Sequence, residues 1–175
     1  MTRQALEHII RASATIADDR DIVVIGSQAV LGNLEHAPEL CLISREADVY
    51  PRNFPERSDV IDGAIGDGSP FEKSFGYFAH GVGPETAILP AGWEERLVRL
   101  ENENTLPGRG WCLELHDLAL AKYAAGRDKD LDFNRALASG GWLEREILDS
   151  RLEQMPIAEA LRKLMAARIR RSFAA

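Results

Sequence analysis

The chain has 175 residues, 45% of them hydrophobic and 28% charged, which is the composition of one ordinary globular domain. Its formal charge of −7 excludes a protein that coats nucleic acid through a general positive charge, so any contact with a polyanion must be local. Two cysteines, Cys41 and Cys112, are too few for a disulfide framework or a thiolate zinc site. The start does not resemble a signal peptide, and no apolar run approaches about 20 residues, so we expect a cytoplasmic protein without a membrane segment.

The pattern of apolar residues predicts strands in the first two-thirds of the chain and helices in the last third. In chain order we expect a helix at 3–18, a strand at 22–25, a short helix at 27–34, a strand at 41–50, a short helix near 60–65, and strands at 75–82, 85–89, 95–100 and 111–115. Helices follow at 117–125, about 130–139, about 144–153 and 157–172. This order predicts an α+β fold in a single domain, 1–175. A mixed sheet of four or five strands would occupy about 20–115 and a helical part about 116–175.

Two segments carry the most informative polar residues. The first is a β-branched apolar run that ends in Gly26-Ser27, and Ser27 is expected to cap the short helix. The second is a strand in which Glu46 and Asp48 stand two residues apart. Alternate residues of a strand point to the same face, so the two carboxylates should project together and repel each other unless a cation joins them. A hard divalent cation such as Mg²⁺ is the natural partner of such a pair. An exposed strand face with two solvated acids, beside a plain turn, is the alternative.

At these residues the sequence resembles the nucleotidyltransferase superfamily of the polymerase-β type. The order is a strand, Gly-Ser, a short helix, and then Ser-x-acid-x-Asp on a strand, from about 22 to 50. The resemblance is closest to small bacterial members, which include abortive-infection-type toxins. The first acid is Glu46, where the family usually has Asp, and the gap from Ser27 to Glu46 is longer than usual.

A second segment, from Leu115 to Asp130, strengthens this resemblance. It is similar to the lysine-bearing helix, followed by Arg/Lys-Asp, that these nucleotidyltransferases carry after the sheet. Asp117 is placed to cap the helix, and Lys122 is the only charge between Leu118 and Ala125. A lone ammonium in such a segment either extends to solvent or meets an anion. The resemblance implies the second, with a nucleotide triphosphate as the anion.

The resemblance implies a complete set of site residues. The metal ligands would be Glu46 and Asp48, the catalytic residues Glu46, Asp48, Glu85 and Lys122, and the nucleotide-binding residues Gly26, Ser27, Ser44, Lys122 and Asp130. The cofactor would be Mg²⁺ and the substrate an NTP. Glu85 is the candidate for the third carboxylate that polymerase-like sites usually have, because it opens a predicted strand after Gly83-Pro84. The alternative for Glu85 is an ordinary surface residue.

The histidines give no sign of a metal site from the sequence. His8, His36, His80 and His116 are scattered along the chain, and no two of them have the spacing of metal ligands. None is therefore included in the predicted site.

The predicted C-terminal helix ends in a run of cations without an acid from Leu161 to Arg171. One interpretation is a helix that docks on the fold with cations suited to its dipole. The other is a local basic patch, with Arg127 and Lys129, that receives RNA or another polyanion.

These expectations lead to one preferred function and two alternatives. The preferred function is an Mg²⁺-dependent nucleotidyltransferase that moves a nucleotide from an NTP to a hydroxyl of RNA, such as tRNA, or of protein. It would act as a member of a toxin–antitoxin pair, with a cognate antitoxin or toxin as its partner. The first alternative is an inactive protein of the same fold that serves as a nucleotide- or partner-binding regulatory module. The second is an α+β interaction domain without either activity.

Overall fold

The computed structural model describes residues 1–174, so Ala175, the last residue of the predicted domain, lies outside the described residues. Within them the fold is α+β, as predicted, with eight α-helices and one five-stranded mixed sheet. The helices are α1 (Arg3–Ala17), α2 (Val30–Asn33), α3 (Ser58–Ile65), α4 (Pro70–Phe75), α5 (Leu115–Ala125), α6 (Asp128–Ser139), α7 (Arg145–Leu152) and α8 (Glu159–Ser172). The strands are β1 (Asp21–Val24), β2 (Glu46–Pro51), β3 (Phe78–Gly81), β4 (Val98–Leu100) and β5 (Arg109–Cys112).

The strand order is β3-β2-β1-β5-β4, which puts β1 at the centre of the sheet. Strand β1 runs antiparallel to β2 and parallel to β5, while β2 and β3 are parallel and β4 and β5 antiparallel. Ile22, Val23 and Val24 are at most 1% exposed, as expected for β-branched residues in a strand covered on both faces. Because the two strands are antiparallel, the end of β1 lies beside Asp48 in the first half of β2.

Helix α1 covers one face of the sheet with an apolar stripe. Leu6, Ile9 and Ile10 repeat at the spacing of one helix face and are all fully buried. Each such side chain stabilises the fold by about 1.5–3 kcal/mol relative to an exposed position. The Thr2 hydroxyl accepts a hydrogen bond from the Ala5 amide at 3.2 Å and so caps the helix start. The prediction of a helix at 3–18 is confirmed.

The cations of α8 bind the ends of other helices. The Arg162 guanidinium donates to the carbonyls of Leu152, at the end of α7, and of Met155. The Arg168 guanidinium donates to the Tyr123 carbonyl in the last turn of α5 at 2.6 Å. The Leu152 and Tyr123 carbonyls lie in the last turns of α7 and α5, where a helix runs out of its own amide donors, and Met155 follows α7 by three residues. Two cations of the run thus have a structural role, which favours the docking interpretation of this helix.

Several expectations about individual segments are wrong. The strands predicted at 41–50 and 95–100 begin only at Glu46 and Val98, after 3₁₀ turns at Glu39–Leu42 and Trp93–Arg96, and α4 was not predicted. Residues 85–89 are not a strand: Pro84–Thr86 form a 3₁₀ turn, in which the Thr86 amide donates to the Gly83 carbonyl at 3.1 Å. The fixed φ of Pro84 suits the first position of such a turn better than an extended chain. Asp117 does not cap α5, because the Glu114 carboxylate accepts from the His116 amide at 3.0 Å instead.

Asp117 belongs to a buried network of charges. Its side chain is fully buried and accepts from Arg96 Nε at 2.8 Å and from Arg151 Nη1 at 2.9 Å. Glu114 binds the same Arg151 and accepts from His116 Nδ1 at 2.6 Å. The Glu144 amide donates to His116 Nε2, which leaves the ring proton on Nδ1, facing Glu114. The network ties the start of α5 to α7.

We expect Glu114→Gln to reduce the acid sensitivity of the fold. Burial raises the pKa of Glu114, but His116 and Arg151 outweigh burial and hold this pKa at about 2, below the ordinary value of 4.5. The unfolded chain therefore takes up the proton first, and the stabilisation present above pH 4.5 is lost as the pH falls towards 2. Urea denaturation measures the free energy of unfolding across this pH range. Between pH 4.5 and 2 it should fall by up to about 3 kcal/mol more in the wild type than in the variant. The exposed control Glu103→Gln should give a curve of unfolding free energy against pH that is parallel to the wild type's. A parallel curve for Glu114→Gln would contradict the prediction.

Candidate functional site

The first wall of the site is the turn that follows β1. A Cβ atom on Gly26 would lie 1.9 Å from Asp48 Oδ2, so only glycine lets the backbone approach this carboxylate. Ser27 is not the cap that its position suggested, because its hydroxyl makes no bond to the short helix and accepts from Lys122 Nζ at 2.8 Å. The Gly-Ser pair is therefore shaped around two charged side chains from elsewhere in the chain.

Strand β2 presents the carboxylates as the alternation predicted. Ala47 and Val49 are fully buried, while Glu46 and Asp48 are half-buried on the opposite face. The Ser44 hydroxyl accepts from the Glu46 amide at 3.1 Å and so orders the chain where the strand begins. Both carboxylates thus project from a strand with a buried inner face.

A histidine from the neighbouring strand completes this cluster. His80 pairs with Asp48 in the parallel register of β2 and β3, on the face that carries the acids. Its Nδ1 lies 3.0 Å from Glu46 Oε1 and 3.2 Å from Asp48 Oδ1. We did not predict His80 from the sequence. The sequence did contain one signal for it: His80 lies in the predicted strand at 75–82, and alternation along that strand places it on the same face as Phe78.

The electrostatics of the cluster are those of crowded negative charges. Burial and then the neighbouring Asp48 raise the pKa of Glu46 above its usual range. Burial lowers the pKa of His80, but Asp48, Glu46 and Asp62 outweigh burial and leave that pKa raised. The Glu46 shift therefore follows from burial and a neighbouring like charge, and the His80 shift follows from the three carboxylates that favour its protonated form.

The cluster has the donors that a divalent cation needs. Glu46, Asp48 and His80 each offer one ligand atom, and these atoms all lie within 4.8 Å of one another. Two carboxylate oxygens and one imidazole nitrogen form a donor set for a divalent ion. The glycine at position 26 leaves the space that the Asp48 carboxylate occupies. The residues present therefore fit a metal ion, and among the described residues this is the one such group.

The opposite wall carries positive charge. Lys122 Nζ, besides its bond to Ser27, donates to Asp130 Oδ1 at 3.1 Å and lies 4.2 Å from the centre of the Phe133 ring. Arg127 Nε donates to Asp130 Oδ2 at 2.6 Å. Burial lowers the pKa of Lys122, and Asp130 offsets part of this effect. One carboxylate thus orients two cations, and one positive charge is left in excess.

Both walls border one cavity of about 210 Å³. Its lining includes Gly26, Ser27, Asp48, Lys122, Arg127 and Asp130, together with the apolar side chains of Ile88, Leu118 and Ala121. Lys122 thus meets the Gly-Ser turn although it lies almost a hundred residues further along the chain. The alternative in which Lys122 simply extends to solvent does not agree with its 7% exposure.

The comparison with protein families decides what kind of protein has this arrangement. A family model described as "Nucleotidyltransferase of unknown function (DUF6036)" matches residues 4–170. The chain belongs to this nucleotidyltransferase family. The resemblance seen in the sequence is therefore confirmed. No curated protein matches the chain, and no solved structure does. None of the helices in the described part of the chain is long and apolar enough to cross a bilayer.

The structure of this nucleotidyltransferase does not bring every expected residue to the cavity. Glu85 is exposed, and its carboxylate bends back over Gly83 rather than joining Glu46 and Asp48. Within the described residues, the cluster of possible ligands consists of Glu46, Asp48 and His80 and contains no third carboxylate. Ser44 is bound to the backbone of Glu46 and is not among the residues that line the cavity. Asp130 does line the cavity, but both its oxygens hold Lys122 and Arg127.

Proposed function

We propose that this protein transfers a nucleotide from an NTP to a hydroxyl group of RNA or protein. The observation that carries the proposal is that Asp48, Lys122 and Arg127 line the same cavity. A bound triphosphate is stabilised by positive charge on more than one side. A divalent ion such as Mg²⁺ at Glu46 and Asp48 would supply it on one side, and Lys122 would supply it on the opposite side. Membership of a nucleotidyltransferase family supports this interpretation of the cavity.

In the proposed reaction the acceptor oxygen forms a bond to the α-phosphorus of the NTP. The bond from that phosphorus to the oxygen bridging to the β-phosphate breaks, pyrophosphate leaves, and the hydroxyl proton passes to solvent. A divalent cation, when bound, neutralises charge on the phosphate oxygens. Glu46 and Asp48 would hold this cation, Gly26 and Ser27 would shape the floor of the cavity, and Lys122 and Arg127 would donate to phosphate oxygens.

Asp130 has a positioning role in this proposal. Its side chain is 1% exposed, and its two bonds keep the cations at one edge of the cavity. Arg127 and Lys122 also lower the pKa of Asp130 against the opposing effect of burial, which keeps it ionised as their partner. The cations are therefore ordered before a nucleotide arrives, which reduces the entropy lost on binding.

One observation favours a second function, in which the protein binds a nucleotide without transferring it. The acid pair lacks a third carboxylate among the described residues, and His80 stands in its place. A carboxylate at that position would assist the attacking hydroxyl in a polymerase-like site. A regulatory module that binds an NTP would not need it.

A labelling experiment distinguishes nucleotide transfer from nucleotide binding alone. The protein is incubated with each of the four NTPs, labelled at either the α- or the γ-phosphate, with Mg²⁺ or Mn²⁺ and a bacterial extract. Transfer of the α-label, but not the γ-label, to an RNA or a protein band supports nucleotidyl transfer and identifies the class of acceptor. Nucleotide binding without α-label transfer would support the regulatory function.

A toxin role in a toxin–antitoxin pair predicts that expression arrests growth and that Asp48→Asn removes the arrest.

A further inference from the structure

The third donor of the acid cluster is a nitrogen, and this affects which cation the cluster selects. We propose that His80 is a direct ligand of the cation at Glu46 and Asp48, and that the site therefore prefers Mn²⁺ to Mg²⁺. The inference rests on the proposed function only in placing a divalent cation at this cluster. It goes further in naming the third ligand and the class of ion.

The register of the sheet supports His80 as a ligand. Parallel pairing aligns Asp48 with His80 and Glu46 with Phe78, so His80 is beside the acids because of strand pairing and not through a mobile loop. The next residue, Gly81, lies close against α3: a Cβ there would be 2.0 Å from the Ser58 carbonyl oxygen. The Gly81 amide also donates to Asp62 Oδ1 at 3.3 Å. These contacts hold the end of β3, and with it His80, against the fold.

The spacing of the donor atoms supports a shared ion. Two ligands at adjacent corners of an octahedron, with bonds of about 2.1 Å, lie about 3.0 Å apart. The His80 nitrogen is 3.0 Å from the Glu46 oxygen and 3.2 Å from the Asp48 oxygen. The side chains of His80, Glu46 and Asp48 are 51%, 41% and 28% exposed, so an ion has access to all three.

The chemistry of the donors sets the preference. Mg²⁺ favours oxygen ligands and gives up its bound water reluctantly, so an imidazole adds little to its affinity. First-row transition ions accept imidazole nitrogen readily, and Mn²⁺ also suits carboxylate and phosphate oxygens. An imidazole as the third ligand therefore raises the ratio of Mn²⁺ to Mg²⁺ affinity above that of a site with three carboxylates.

The test measures metal binding by the full-length protein, without requiring activity. Pulsed electron paramagnetic resonance of the Mn²⁺-loaded protein should show coupling to an imidazole nitrogen, and His80→Asp should abolish this coupling. Calorimetry should give a ratio of Mn²⁺ to Mg²⁺ affinity that falls at least tenfold in His80→Asp. The exposed histidine His36 supplies the matched control, because His36→Asp should leave both measurements unchanged.

Two results would overturn the inference: no nitrogen coupling in the wild-type protein, or an affinity ratio that His80→Asp leaves unchanged. Thermal unfolding of the variant shows whether the fold persists, and His80→Asn provides a second variant if it does not. The proposed function fails on a different result, the absence of α-label transfer with either ion. Nitrogen coupling without transfer would leave the metal site standing, and transfer without coupling would leave the function standing.

Discussion

Replacing Glu46 with Gln and Asp48 with Asn is expected to abolish cation-dependent nucleotide binding while the fold persists. The two carboxylates are the anionic donors of the cluster, and amides in their place remove two negative charges that would hold the ion. We expect the affinity for an NTP in the presence of Mn²⁺ or Mg²⁺ to fall about 100-fold or more, equivalent to about 2.8 kcal/mol. Calorimetric titration with a non-hydrolysable NTP analogue measures this change.

The stability of the same double variant should not fall together with its nucleotide affinity. Burial and Asp48 raise the pKa of Glu46, so the folded state brings together charges that oppose each other. Neutral amides remove this repulsion, and we expect the melting temperature to stay the same or to rise. Such a trade of stability for function is typical of sites that bind a ligand. The control is Glu35→Gln with Asp67→Asn, two exposed acids with the same change of charge. Unchanged nucleotide affinity in the site variant would contradict the metal site.

Lys122→Gln is expected to weaken triphosphate binding by about 10- to 150-fold. A hydrogen bond to a charged group contributes about 1.5–3 kcal/mol, and a neutral amide loses its ionic part. Gln retains donors for the Ser27 hydroxyl, and Asp130 keeps its bond to Arg127, so the cavity should keep its shape. Because the lysine is proposed to contact phosphate, the loss should be large for an NTP and small for the nucleoside. Equilibrium binding of both ligands tests this difference.

A second lysine gives the matched control for this prediction. Lys129 is exposed at the start of α6, seven residues from Lys122, and Lys129→Gln makes the same change of charge. We expect no more than a small, salt-sensitive effect from it, since exposed charges are screened by ions. Equal losses for the NTP and the nucleoside in Lys122→Gln would indicate a collapsed cavity instead of a lost phosphate contact.

Local patterns were enough to predict most elements of the fold. The stripe of Leu6, Ile9 and Ile10 predicts α1, and the β-branched run from Ile22 predicts β1, because each pattern reports which side of its own element is buried. The same logic placed Glu46 and Asp48 on one face of β2. The segment at 85–89 failed because an apolar run does not reveal whether a strand edge is available to pair with it.

The amino-acid sequence by itself determined the α+β class, the nucleotidyltransferase resemblance and the acid pair, since these depend on residues close together in the chain. Only the tertiary structure decided which distant groups meet this pair. His80 reaches Asp48 through the register of β2 and β3, and Lys122 reaches Ser27 because α5 packs beside the turn that follows β1. Glu85 carries the expected charge but lies in a turn that points elsewhere. Alternation along one strand is a local property, whereas the pairing of strands and the packing of helices depend on the whole core.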